Sequence, residues 1–236
     1  MSRLRAALKK MQPSDWLALA LLLLYVVVFS ILTIRQHQSF NTNALDLGKF
    51  DQGIWNTSRG RPYQITISEN LVIESHFSPS LALFAPLYWI WPDIRLLFIM
   101  QSLLLGGAGF LIYLFFRRQN PWLGLAVFAA YLMNPALHQV NLIEFRRLTL
   151  AVFATSFAIY HLLRRQYAWM ALGLAIALLS KEDMSLTVIA VGLYIMVIQR
   201  NLKVGLPTFA VGLAWFILVP FALLPALMTT DQTAGC

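Results

Sequence analysis

The strongest constraint on this chain is a succession of long apolar runs separated by short, basic breaks. A basic N-terminus carrying Arg3, Arg5, Lys9 and Lys10 precedes an apolar stretch from Trp16 to Ile34. Further apolar runs cover Pro79 to Trp91, Ile94 to Phe116, Pro121 to Leu137, Leu148 to Leu163, Tyr167 to Ser180, Met184 to Ile198 and Val204 to Leu227. A helix of about 20 apolar residues crosses the roughly 30 Å hydrocarbon layer, since it satisfies its own backbone N–H and C=O groups there. With 59% hydrophobic and only 12% charged residues, the chain is far too apolar for an ordinary soluble domain. The fold class expected is all-α, a polytopic transmembrane helical bundle in the cell membrane.

The charges set its direction. The breaks Arg117-Arg118, Arg164-Arg165 and Arg200 to Lys203 contain no acidic residue, and cytoplasmic loops carry the excess of Lys and Arg. These breaks and the N-terminus are therefore expected in the cytoplasm, with Trp16 to Ile34 as an uncleaved signal anchor: it is too long for a signal-peptide core and no small-x-small site follows. Pro79 to Trp91 is too short to span, so it is expected as an interfacial or re-entrant helix on the outer face. About seven spans result, as one domain over residues 1–236, with an external loop over 35–93 bearing short interfacial helices. The formal net charge of +8 comes from the breaks, not from a basic domain, so membrane lipids and no nucleic acid are the expected partners. The single Cys236 offers no disulfide framework or thiolate metal site.

This topology sorts the acids. Asp15 alone sits at a cytoplasmic boundary, while Asp46, Asp51, Glu69, Glu74, Asp93, Glu144, Glu182, Asp183 and Asp231 fall outside. Two charged turns between apolar runs stand out, Glu144-Phe145-Arg146-Arg147 and Lys181-Glu182-Asp183. Ionisable groups at the bilayer edge are costly unless paired or solvated in a cavity, so a functional role and a solvated turn with a Lys181 to Asp183 ion pair both remain open. In Leu45 to Asn56, Leu47, Phe50 and Ile54 recur with helical period beside Trp55, which predicts a short helix on the membrane surface. Asp46 is placed to cap that helix, and Asp51 falls inside it, either turned toward a cavity or simply exposed. His76 lies where the loop returns to the interface, able to meet a phosphate or a sugar hydroxyl. No zinc spacing and no phosphate-binding glycine loop occur, and Gly106-Gly107-Ala108-Gly109 fits close helix packing.

The ordered strings Asp46 to Asn56 (DLGKFDQGIWN), His76 to Pro79 (HFSP), Asn134-Pro135, Lys181-Glu182-Asp183 and Gly212 to Phe216 (GLAWF) resemble an uncharacterised family of prokaryotic membrane proteins, domain of unknown function 2079. That family in turn looks like the C-type (GT-C) integral membrane glycosyltransferases, which take a sugar from a polyprenyl-phosphate donor on the outer face. The resemblance implies Asp46 or Asp51 as catalytic aspartate, acting as general base or as ligand to a divalent cation. It implies His76 and Lys181 against the lipid-linked phosphate, and Glu182 and Asp183 orienting Lys181 or binding sugar hydroxyls, with Glu69 and Glu144 as further substrate contacts. Two departures stand out. Glu144-Phe145-Arg146-Arg147-Leu148 replaces a D/E-F-H-P-E string, and the chain ends where relatives continue through further membrane helices. These departures imply either a fragment of a gene product or a shortened, non-catalytic scaffold that serves as a subunit of a larger membrane complex.

Overall fold

A computed structural model describes residues 11–67, 71–73 and 76–226. Every regular element among them is helical. The first helix, α1 (Pro13–Gln38), opens with Pro13 at a position whose N–H would have no partner anyway, and Asp15 Oδ2 accepts the Gln12 N–H at 2.8 Å. After α2 (Ala44–Ser58), a 3-10 segment Pro79–Phe84 runs into α3 (Ala85–Tyr88). The remaining helices are α4 (Arg95–Phe116), α5 (Pro121–Leu132), α6 (Pro135–Leu142), α7 (Leu148–Leu163), α8 (Tyr167–Leu178), α9 (Met184–Val197) and α10 (Leu202–Leu218), which passes through a π-helical turn at Val219–Leu223.

Among the described residues three helices are long and apolar enough to cross a membrane: α1, α4 and the continuous segment Leu202–Ala226. The pair α5 and α6, bent by 51°, makes a fourth if taken as one broken span. The bend has a local cause. The Asn134 side chain accepts from the Ala136 N–H and Pro135 opens the new helix, so α5 stops and α6 restarts with its own cap. The helices α7, α8 and α9, of 16, 12 and 14 residues, are apolar but shorter.

Successive long elements run in opposite directions between two ends of the bundle. At one end Tyr113 Oη donates to Asp15 Oδ1 at 2.5 Å and Arg117 Nη2 to Asp15 Oδ2 at 2.6 Å, tying the start of α1 to the end of α4. The Tyr167 hydroxyl donates to Gln199 Oε1 at 3.0 Å, and Gln199 Nε2 to the Leu162 carbonyl, gathering the ends of α7 and α9 with the start of α8. At the opposite end His37 lies 5.5 Å from Phe98, ring to ring, the Ser80 N–H donates to the Leu179 carbonyl, and Phe77 meets Trp215 edge-on at 5.8 Å. The loops bearing Arg117-Arg118, Arg164-Arg165 and Arg200 thus share the first end. The described residues of 37–98 and the turns at 143–147 and 180–183 share the second.

Small residues set the closest approaches. A Cβ at Gly192 would sit 2.5 Å from the Phe209 backbone nitrogen, so α9 and α10 touch along a seam that no larger residue permits. At the second end α2 packs onto protein. Leu47, Phe50 and Ile54 join Phe84, Tyr88, Leu97, Phe98 and Phe145 in one buried cluster. This corrects the expected surface helix, because the stripe predicted to meet the membrane faces the protein core and a helical apolar period does not say which apolar phase covers it. Trp55 alone of that group stays half exposed, with the Arg59 guanidinium 5.6 Å from its ring centre.

Candidate functional site

Four segments of the chain meet at the second end and enclose a cavity of about 440 Å³. From α2 come Asp46, Lys49 and Phe50, which share a face because positions three and four apart are neighbours on a helix. His76 enters from the loop before the 3-10 segment, Arg146 and Arg147 from the turn before α7, and Lys181 from the turn before α9. Asp46 is the one carboxylate in this lining, against four cations and an imidazole.

A second set of acids stands behind the cations. Glu182 Oε1 lies 2.7 Å from His76 Nδ1, Asp183 Oδ2 accepts from Lys181 Nζ at 2.7 Å, and buried Glu144 accepts from Arg146 Nη2 at 2.6 Å. The local Lys181 to Asp183 pair read from the sequence is present, while Glu182 turns away to orient His76. Arg146 also reaches Asp46, more loosely, at 3.9 Å. Glu182 Oε2 is buried without a partner among the described residues. Arg147 and Lys49 have no ion pair among the described residues, although Arg147 packs 5.5 Å over the Phe50 ring. Burial pushes the Arg147 guanidinium below its ordinary value, and the nearby carboxylates of Glu182 and Asp46 oppose that shift. A half-buried arginine without a bidentate partner favours an anion entering the cavity.

The cationic turn is held from inside the bundle. Gln101, fully buried on α4, accepts from the Arg146 backbone N–H at 2.8 Å and from Thr149 Oγ1 at 3.1 Å. Its amide group faces the carbonyls of Val140, Asn141 and Ile143 at 3.3 to 3.4 Å. The helical ladder breaks between the last carbonyls of α6 and the Arg146 N–H, so Gln101 supplies partners to both sides of the break. Phe145, fully buried, keys the turn down by meeting Phe50 at 6.0 Å and Phe84 at 5.4 Å, both edge-on.

Asp46, His76 and Lys181 therefore line one cavity, and two readings on α2 change. Asn43, not Asp46, caps the helix, its side chain accepting from the Leu45 N–H at 3.1 Å. Asp46 is thereby left for the cavity. Asp51 does not face the cavity. It accepts from the Tyr88 hydroxyl at 2.6 Å and fastens α2 to α3. Burial raises its pKa above the ordinary value, and the Tyr88 hydrogen bond opposes that shift. Glu69, like Glu74, lies outside the described residues. Lys49 was not expected in the site, and Arg146 and Arg147 belong to a charged turn whose functional role was left open without a place in it. For Lys49 the signal was its spacing of three from Asp46; for the two arginines it was their adjacency to Glu144.

Among the described residues no three His, Cys, Asp or Glu side chains group as a metal site. Among the described residues Asp46 is the only carboxylate lining the cavity and has Arg146 beside it, so these donors do not by themselves fit a divalent cation. Compared with known proteins, the chain matches the family described as Predicted membrane protein (DUF2079) over residues 36–235. No curated protein and no solved structure matches it.

Proposed function

Because the chain belongs to the DUF2079 family of predicted membrane proteins, we propose that it is a multi-pass, GT-C-like protein that transfers a sugar from a polyprenyl-phosphate donor on the extracytoplasmic face. In this reading the chain crosses the bilayer seven times, with its N-terminus in the cytoplasm. The alternation of helices between two ends supports that topology, since it gathers the acid-free basic loops at one end. Helices of 12 to 16 residues are about 18 to 24 Å long. Local bilayer thinning and the flanking turns make up the difference to the hydrocarbon thickness.

The observation that carries the reading is the cavity with one carboxylate opposite four cations. A sugar phosphodiester bound there places its phosphate against Arg147, Lys181 and Lys49. An acceptor hydroxyl oxygen attacks the anomeric carbon, the bond from that carbon to the phosphate oxygen breaks, and polyprenyl phosphate leaves with the electron pair. The hydroxyl proton passes to an Asp46 carboxylate oxygen, which is the general-base role. The cations stabilise the charge gathering on the leaving phosphate, an effect that grows as water is excluded.

Purified protein supplied with polyprenyl-phosphate sugars and a hydroxyl acceptor tests this. Asp46→Asn should cut turnover by about 10² to 10⁴ while leaving polyprenyl-phosphate binding intact. Turnover equal to wild type in that variant, or no binding of polyprenyl phosphate by the wild type, decides against the transferase. A second reading, a non-catalytic scaffold within a larger membrane complex, is favoured by one observation. Only 11% of the most apolar window of Leu202–Ala226 is buried, leaving most of that surface for lipid or another subunit. Stable association with other membrane subunits, without lipid-sugar turnover, is its signature.

A further inference from the structure

The end of the bundle away from the candidate site holds a second cavity, of about 390 Å³, between the end of α4 and the end of α7. Arg118 reaches it from the α4 side and Arg164 from the α7 side, with Gln119 and Gln166 at its margin. No carboxylate lines it. The one acid among the described residues at this end, Asp15, is already held by Tyr113 and Arg117. Arg118 is exposed and makes no ion pair or hydrogen bond among the described residues, whereas Arg164 is fixed in direction: its guanidinium lies 4.9 Å from the Tyr160 ring centre and Nη1 donates to the Tyr160 hydroxyl. That leaves the remaining Arg164 N–H groups free to point into the cleft. The other wall is apolar, with Phe115 and the exposed Leu163 continuing from the cleft toward the outside of the bundle.

Two arginines converging without a counter-charge, beside an apolar wall at a helix end, match the chemistry of a lipid headgroup and not that of a freely diffusing ion. A guanidinium recognises phosphate by paired N–H donors, and basic pockets between helices on the cytoplasmic side take anionic headgroups. We propose that this cleft binds the phosphate of an anionic membrane phospholipid, held between Arg118 and Arg164, with an acyl chain lying along Phe115 and Leu163. The site is separate from the sugar-transfer reading and stands whether or not the protein is an enzyme.

The test uses the full chain in phosphatidylcholine nanodiscs doped with phosphatidylglycerol, with lipid retained on the protein counted by native mass spectrometry. The wild type should retain phosphatidylglycerol preferentially, and the double variant Arg118→Gln, Arg164→Gln should lose that preference by about thirtyfold, given ~1 kcal/mol for each cation near an anionic surface. Arg118→Gln alone, at an exposed side chain with no ion pair or hydrogen bond to lose among the described residues, should weaken retention with the fold intact, which covers the case in which the double variant fails to fold. The control Arg200→Gln, Lys203→Gln removes the same charge from the same end and should leave retention unchanged. Equal loss in that control would reduce the effect to general surface charge and overturn the proposal. So would undiminished retention in the Arg118 and Arg164 variants. Displacement of the lipid by inorganic phosphate at millimolar concentration would mark a free-anion site and would overturn it as well.

Discussion

Asp46 and Asp51 sit five positions apart on α2, which at about 100° per residue turns them some 140° from each other. One consequently faces a cationic cavity and the other the Tyr88 hydroxyl. Burial raises the Asp51 pKa, so the folded protein prefers its neutral form. Stability associated with that carboxyl is complete below the ordinary value near 3.8 and is lost as pH rises through the raised folded value. Asp51→Asn keeps an acceptor for Tyr88 and carries no charge. Its melting temperature should match wild type in acid and exceed it increasingly toward neutral pH, in a detergent-solubilised thermal melt. A gap that is constant across pH, or that favours wild type at neutral pH, would show that the buried carboxyl is stabilised as an anion after all. The sequence singled out both aspartates but could not assign their faces, because Asn43 was not recognised as the cap that sets where α2 begins.

At the scale of elements, restarts matter as much as spans. Asn120 before Pro121 and Asn134 before Pro135 are the same device, an amide oxygen accepting the first free N–H groups of a helix whose opening residue has none to offer. At Asn134 this device is exposed, and the 51° bend there carries α6 across to α1, bringing Asn141 Nδ2 within 3.1 Å of the Tyr25 hydroxyl. Asn134→Ala should cost about 1 kcal/mol, as cap removals do, measured as a lowered unfolding midpoint. A neutral result would mean that packing alone sets the bend. The sequence exposed the Asn-Pro pair but not the bend, since a cap signal gives the place where a helix restarts and not the angle. The role of Gln101 was equally hidden, because its partners lie 39 to 48 residues away along the chain.

For the molecule as a whole, the directions of the helices can be read out chemically. Cysteines introduced singly at Ser58 and Gln166 should react with a membrane-impermeant maleimide from opposite sides of sealed vesicles, because Ser58 closes α2 at the second end while Gln166 precedes α8 at the first. Reaction of both from one side would break the alternation of helices. That alternation was legible in the sequence, because apolar length and basic breaks are local properties. The site was legible only in part. Asp46, His76 and Lys181 were marked by charge in improbable places, but Lys49 and Arg147 acquire meaning only when three distant turns converge. The Asp15 to Arg117 contact has an electrical consequence. With its sole described acid at that end tied up, the face bearing Arg118, Arg164, Arg165, Arg200 and Lys203 is almost purely cationic. A transmembrane voltage acts on each charge displaced through it with about 2.3 kcal/mol per 100 mV. In the proposed orientation, with this face in the cytoplasm, a cell interior held negative opposes carrying those cations outward, and the voltage that energises the membrane works against inverted insertion.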